Sequence, residues 1–163
     1  MSNIPNLNNI VKEIRAELAA GQVSGKRAND LEKSRCYWKV GRLISGIYPE
    51  SGYRSIYGKE LFKSLSERLD ISSRMLYHAY RFFGYYPGKG PPAKGLLWTH
   101  YRLLLGVHDS KERKRLETRV LKKRLSTREL KTLINELKDK GSDGELSLVP
   151  HKGKPYHYRI VEK

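Results

Sequence analysis

The sequence predicts a mainly α-helical, multi-helix domain that contains a helix-turn-helix-like unit and ends in a short C-terminal β-hairpin. Three observations predict it. Apolar residues recur at three- and four-residue spacing through most of residues 6–140, the period of a helix with one buried face. Ser or Asp precedes several of these runs, in two cases with Glu three residues later, the pattern that caps helix N-termini. Residues 141–163 then alternate apolar and polar side chains around a Gly/Pro turn, the period of strands.

Taken in order, residues 6–20 place Leu7, Ile10, Val11, Ile14 and Leu18 on one helix face. "GQVSG" breaks that pattern, so residues 1–26 form an N-terminal helix and linker. A second helix is predicted over Arg27–Tyr48, with Leu31, Tyr37, Trp38, Leu43 and Ile44 at its apolar positions. Gly41 within it costs about 1 kcal/mol against Ala unless another helix packs closely there. "PESGYRS" is a loop. The next helix, Ile56–Arg68, leads into Leu69 and carries Leu61, Leu65 and Leu69 at i, i+4 and i+8. Asp70-Ile71 makes a short turn.

Ser72 is the expected N-cap of a helix running to Phe83, because its hydroxyl can accept from a free first-turn amide. Met75, Leu76 and Ala79 should face inward, and Tyr80, Phe82 and Phe83 should join the core, leaving Arg81 outside. "PGKGPPAKG", Pro87–Gly95, is an exposed loop. Three helical segments follow. One spans Leu97–Leu105, one starts at "DSKE" with Asp109 and Glu112, and one starts at "STRE" with Ser126 and Glu129 and ends near Lys140. Residues 27–140 therefore form the helical domain. In residues 141–163, Leu146 and Leu148 face Tyr156, Tyr158 and Ile160 as two strands, either a hairpin tail or the start of a further domain.

Charge bounds the function. Lys and Arg total 33 against 17 acidic residues, a net charge of +16 with a pI near 10.0. An excess of this size points to an anionic partner, nucleic acid first. Cys36 is the single cysteine, so an intramolecular disulfide and a thiolate zinc site are both excluded. Neither a signal-peptide pattern nor an apolar run of about 18 residues is present, so a cytoplasmic protein with no membrane partner is expected.

Two basic constellations stand out. In "YGKELFKSLSERLDISSRMLYHAYRFF" a helix, a tight turn and a capped second helix match helix-turn-helix geometry. There the second helix offers its N-terminal residues to the major groove. Ser72, Ser73, Arg74, Tyr77, His78 and Arg81 are the candidate DNA contacts. The arginine fork suits guanine O6 and N7, and serine with the first-turn amides suits phosphate. "KERKRLETRVLKKRLSTR", Lys111–Arg128, holds nine basic and two acidic residues. Leu116, Val120, Leu121 and Leu125 form its expected buried side. Arg113, Lys114, Arg115, Arg119, Lys122, Lys123 and Arg128 are then candidate phosphate contacts.

Signs of catalysis are weak. His78, His100, His108, His151 and His157 lack metal-ligand spacing, and no Gly-rich phosphate loop or carboxylate pair suited to a divalent ion is present. No metal, cofactor or enzymatic activity is expected from this chain.

"YWKVGRLI" (Tyr37–Ile44), "YGKELFKSLSERLDISSRMLYHAYRFFGYYP" (Tyr57–Pro87) and "LLWTHYRLLLGVHDSKERKRLETRVLKKRLSTRELKTLI" (Leu96–Ile134) resemble the N-terminal domain of YhcG-type bacterial proteins. The chain departs from the family's Leu-Pro-Trp at Leu96-Leu97-Trp98, and "ESGYRS" replaces an acidic or Trp-containing segment. The resemblance implies a helix-turn-helix-like module that precedes a restriction-endonuclease-like nuclease domain. The nuclease residues of the family have no matching positions here. The expected function is duplex DNA binding that targets or accompanies a nuclease. The alternatives are a protein-interaction or homodimerisation module of a nuclease system, and an RNA binder that uses the basic-aromatic tail "HKGKPYHYR".

Overall fold

The structure is a computed structural model that describes residues 7–20, 26–48, 56–88, 95–141, 149–150 and 158–159. Seven helices account for nearly all of these: α1 (Leu7–Ala20), α2 (Lys26–Ile47), α3 (Ile56–Leu69), α4 (Ser73–Tyr85), α5 (Trp98–Leu104), α6 (Ser110–Lys123) and α7 (Thr127–Gly141). The mainly helical expectation holds. Val149 and Pro150 pair antiparallel with Arg159 and Tyr158. The other residues of the expected hairpin lie outside the described residues, as do 49–55 and most of the Pro87–Gly95 loop.

The predicted caps are in place. Ser72 Oγ accepts from the Met75 amide at 3.3 Å. Asp109 Oδ1 accepts from the amides of Lys111 and Glu112 at 2.7 and 2.9 Å. Glu129 Oε2 accepts from the Ser126 amide while the Ser126 hydroxyl accepts from the Glu129 amide, the reciprocal capping box. Between α3 and α4 the chain turns at Asp70 with φ of 56°. A short polar side chain tolerates that left-handed conformation better than most.

Two apolar clusters make the core. The first joins α1, α2, α3 and α4 through residues such as Ile14, Val40, Ile44, Leu61, Leu65 and Leu76. The second joins α2, α4 and α5–α7 through Trp38, Phe82, Trp98, Tyr101, Leu116 and Leu130. Burying each such side chain fully contributes about 1.5–3 kcal/mol. Only α2 and α4 contribute to both clusters. They meet at Gly41, where a methyl group would stand 2.0 Å from the Ala79 carbonyl oxygen and 3.0 Å from Phe83 Cβ. The glycine inside α2 is therefore there for close helix approach.

Helix α4 packs against α2, α3 and α5. Leu76, Ala79 and Phe82 are fully buried, Met75, Tyr80 and Phe83 pack beside them, and only Arg74 and Gly84 of the helix are exposed. Two expectations for apolar positions are corrected. Leu31 and Leu121 are 40% and 41% exposed. Leu121 lies outside the stripe that Arg113, Leu116 and Val120 make at i, i+3 and i+7, so it cannot share their buried side.

Candidate functional site

The basic helix α6 is held by its inner face. Leu116 and Val120 enter the second cluster. The Tyr86 hydroxyl donates to Glu117 Oε1, and burial with this bond raises the Tyr86 pKa. Tyr86 also fixes α2, since its backbone carbonyl accepts from Trp38 Nε1 at 2.9 Å. On the outer face Lys111, Lys114, Arg115, Arg119, Lys122 and Lys123 are exposed. At 1.5 Å per residue the run from Lys111 to Lys122 covers about 16 Å. Glu112 pairs with Arg115 at 2.7 Å. The other five make no ion pair among the described residues. Arg128 is exposed in the first turn of α7. A cation gains nothing from the helix dipole at that end.

Arg113 corrects the expectation of an outward phosphate contact. It is 8% exposed. Its Nη1 donates to the Val107 carbonyl at 2.8 Å, and its guanidinium lies 4.2 Å from the Tyr85 ring centroid. Charge-assisted hydrogen bonds contribute about 1.5–3 kcal/mol, so Arg113 anchors α6 to the exit of α5.

Arg81 is corrected in the same way. Its Nη2 donates to the Leu105 carbonyl at 2.7 Å and to the Tyr85 hydroxyl at 2.6 Å. Helix C-termini leave carbonyls without intrahelical partners. The two arginines, from α4 and α6, satisfy those at the end of α5 with Tyr85 between them.

The remaining α4 candidates divide. Ser72 caps the helix. Ser73 Oγ donates to the Phe62 carbonyl at 3.3 Å. Tyr77 is half-buried with its ring edge-on to Phe62. His78 is half-buried, and its Nδ1 is one of two buried side-chain nitrogens without a hydrogen-bond partner among the described residues. Arg74 is exposed and makes no ion pair among the described residues. The structure thus brings Arg74, His78 and Arg81 onto one stripe of α4 at i, i+4 and i+7, and leaves Arg74 alone facing solvent.

Sequence reasoning missed Arg102. It is exposed on α5 and acts electrostatically on both His78 and Tyr37. Its signal was a lone cation between Tyr101 and Leu103. His100, noted only as a histidine without metal spacing, is buried. Its Nδ1 accepts from the Leu97 amide at 3.1 Å. That fixes Nε2 as the protonated nitrogen, which donates to the Leu125 carbonyl at 3.1 Å.

Two titratable groups yield tests. Burial, then the charges of Arg102, Arg74 and Arg81, push the His78 pKa down to about 4. A depressed folded pKa means that the unfolded chain binds the proton more tightly. The stability is therefore complete above the unfolded value of 6.5 and is lost as pH falls through about 4. Thermal midpoints should decline across that window, and His78→Gln should shrink the decline; an unchanged profile in the variant would show that His78 is not the group. Burial, reinforced by Glu17, pushes the Cys36 thiol up to about 11, and its Sγ donates to the Glu17 carbonyl at 3.2 Å. A thiol held protonated and buried is inert. Iodoacetamide should leave the native protein unmodified and alkylate it in urea, as mass spectrometry would detect.

Among the described residues no group of three His, Cys, Asp or Glu side chains is placed to hold a metal ion, and no helix is long and apolar enough to cross a membrane. These features define a mainly helical domain with a run of exposed cations on one helix. The chain belongs to the DUF1016 N-terminal domain family, whose model matches residues 13–138. Searches of curated proteins and of solved structures find no match.

Proposed function

We propose that this domain binds duplex DNA, with the outer face of α6 lying along the phosphate backbone. The observation that carries this is the separation of the two faces of α6. Lys111, Lys114, Arg115, Arg119, Lys122 and Lys123 point to solvent, while Glu117 and Arg113 are bonded inward. A cationic face on which, among the described residues, only Arg115 is paired with an acid suits a polyanion, and each phosphate it neutralises releases a counterion. The turn and α4 start, Ser72–Arg74, act as the front end of a helix-turn-helix-like unit, with Arg74 the side chain able to reach a base edge. In keeping with the YhcG-type resemblance, the domain delivers a nuclease activity carried elsewhere to its DNA.

Fluorescence anisotropy with a labelled duplex should show binding at about 50 mM salt, where phosphate contacts dominate, and a linear fall of log K with log salt. Absence of binding at that salt would sink the proposal. A second role, docking of a nuclease subunit or a second copy, has Leu121 and Leu137 in its favour, 41% and 38% exposed on α6 and α7. Single exposed leucines are common on soluble surfaces, and salt-insensitive association would be needed to prefer it. The tail on which RNA binding would rest lies largely outside the described residues.

A further inference from the structure

The junction of α4 and α5 gathers charge of one sign around buried nitrogens. Arg74 and His78 stand one turn apart on α4, a spacing that puts their Cβ atoms about 5–6 Å apart. Arg81 continues the stripe and is tied to the Leu105 carbonyl. Arg102 comes from α5, close enough to act on the His78 imidazole. The charges that act on His78 are all guanidiniums, and neither Arg74 nor Arg102 makes an ion pair among the described residues. Two buried side-chain nitrogens lack a hydrogen-bond partner among the described residues, His78 Nδ1 and Trp98 Nε1. Both belong to this junction: Trp98 packs on Phe82 of α4 and precedes Arg102 by one turn of α5. Clustered cations repel one another, and an unbonded buried polar nitrogen destabilises the fold. An anion with several acceptor oxygens relieves the repulsion.

We propose that Arg74, His78 and Arg102 form a phosphate-binding cluster at the α4–α5 junction. Two planar guanidinium forks present donors suited to the oxygens of a tetrahedral phosphate. The His78 imidazole is neutral at neutral pH and lies beside the ligand without adding a third repelling charge. Arg81, engaged with Leu105 and Tyr85, contributes field and not a contact. The site stands apart from the outer face of α6, so either can fail without the other. Its phosphate comes from a nucleic-acid backbone or from a free phosphate or nucleotide.

The test is a titration of the full chain with inorganic phosphate near neutral pH, with ionic strength held constant by chloride and the His78 ring signals followed by NMR. A saturable shift is expected with phosphate and not with chloride. Arg74→Ala and Arg102→Ala, both at exposed positions, should each weaken the apparent phosphate affinity about tenfold. Lys122→Ala/Lys123→Ala should leave it unchanged, which separates this site from α6. Circular dichroism of each variant confirms that it is folded. No saturable shift, an equal response to chloride, or unchanged affinity in both arginine variants would overturn the proposal. Displacement of the phosphate signal by a short duplex identifies the backbone as the source. Persistence of the signal identifies free phosphate, and either result upholds the site.

Discussion

Gly41→Ala is expected to lower the unfolding free energy by about 3 kcal/mol or more. A methyl group there would meet the Ala79 carbonyl oxygen at 2.0 Å, and backbone cannot swing aside as a flexible side chain can. Helices α2 and α4 would have to separate, loosening both apolar clusters at once, because both helices line both clusters. Gly46, in the last turn of the same helix, has nothing within 4 Å of the equivalent position. Gly46→Ala is therefore expected to stabilise by up to about 1 kcal/mol, the difference in helix propensity. Urea denaturation of the two variants measures this directly. Similar midpoints for both would mean that α2 and α4 do not approach as closely as the structure has them.

Lys122→Ala/Lys123→Ala should flatten the salt dependence of duplex binding. Each phosphate contact contributes about 0.9 to the slope of log K against log salt, so removing two should reduce it by about 1.8. The effect should be the same for every duplex sequence, since phosphate contacts carry no base information. Arg81→Ala should behave differently. It deprives the Leu105 carbonyl of its side-chain donor and unstacks Tyr85, so the loss is expected in stability while the slope of the folded protein is retained. A slope unchanged by the lysine pair, or reduced by Arg81→Ala, would place the phosphate contacts elsewhere than on α6.

The helices were legible because local signals agreed. The periodicity of Leu61, Leu65 and Leu69, and the caps at Ser72, Asp109 and Ser126, are properties of neighbouring residues. The structure reproduces them. The direction of the arginines was less legible. Charge alone put Arg81 and Arg113 outside, yet their partners are carbonyls at the end of α5 and the ring of Tyr85. Those partners are distant in sequence and have no local signature. For Arg113 a clue was available, since it stands in register with Leu116 and Val120 on the buried stripe. For α4 the inward turn of Tyr80, Phe82 and Phe83 was legible, while Tyr77 and His78, read as groove-facing, are half-buried because their rings have enough apolar body to pack against the helices around them. Arg102 went unnoticed because α5 looked like core alone.

The grip on α6 has an evolutionary side. Arg113, Leu116, Glu117 and Val120 hold the helix, and all four lie on its inner face. The outer cations contribute nothing to that grip, so they are free to vary one by one without unfolding the domain. A surface decoupled in this way can retune its affinity, or its preference among polyanions, while the seam at Gly41 admits almost no change.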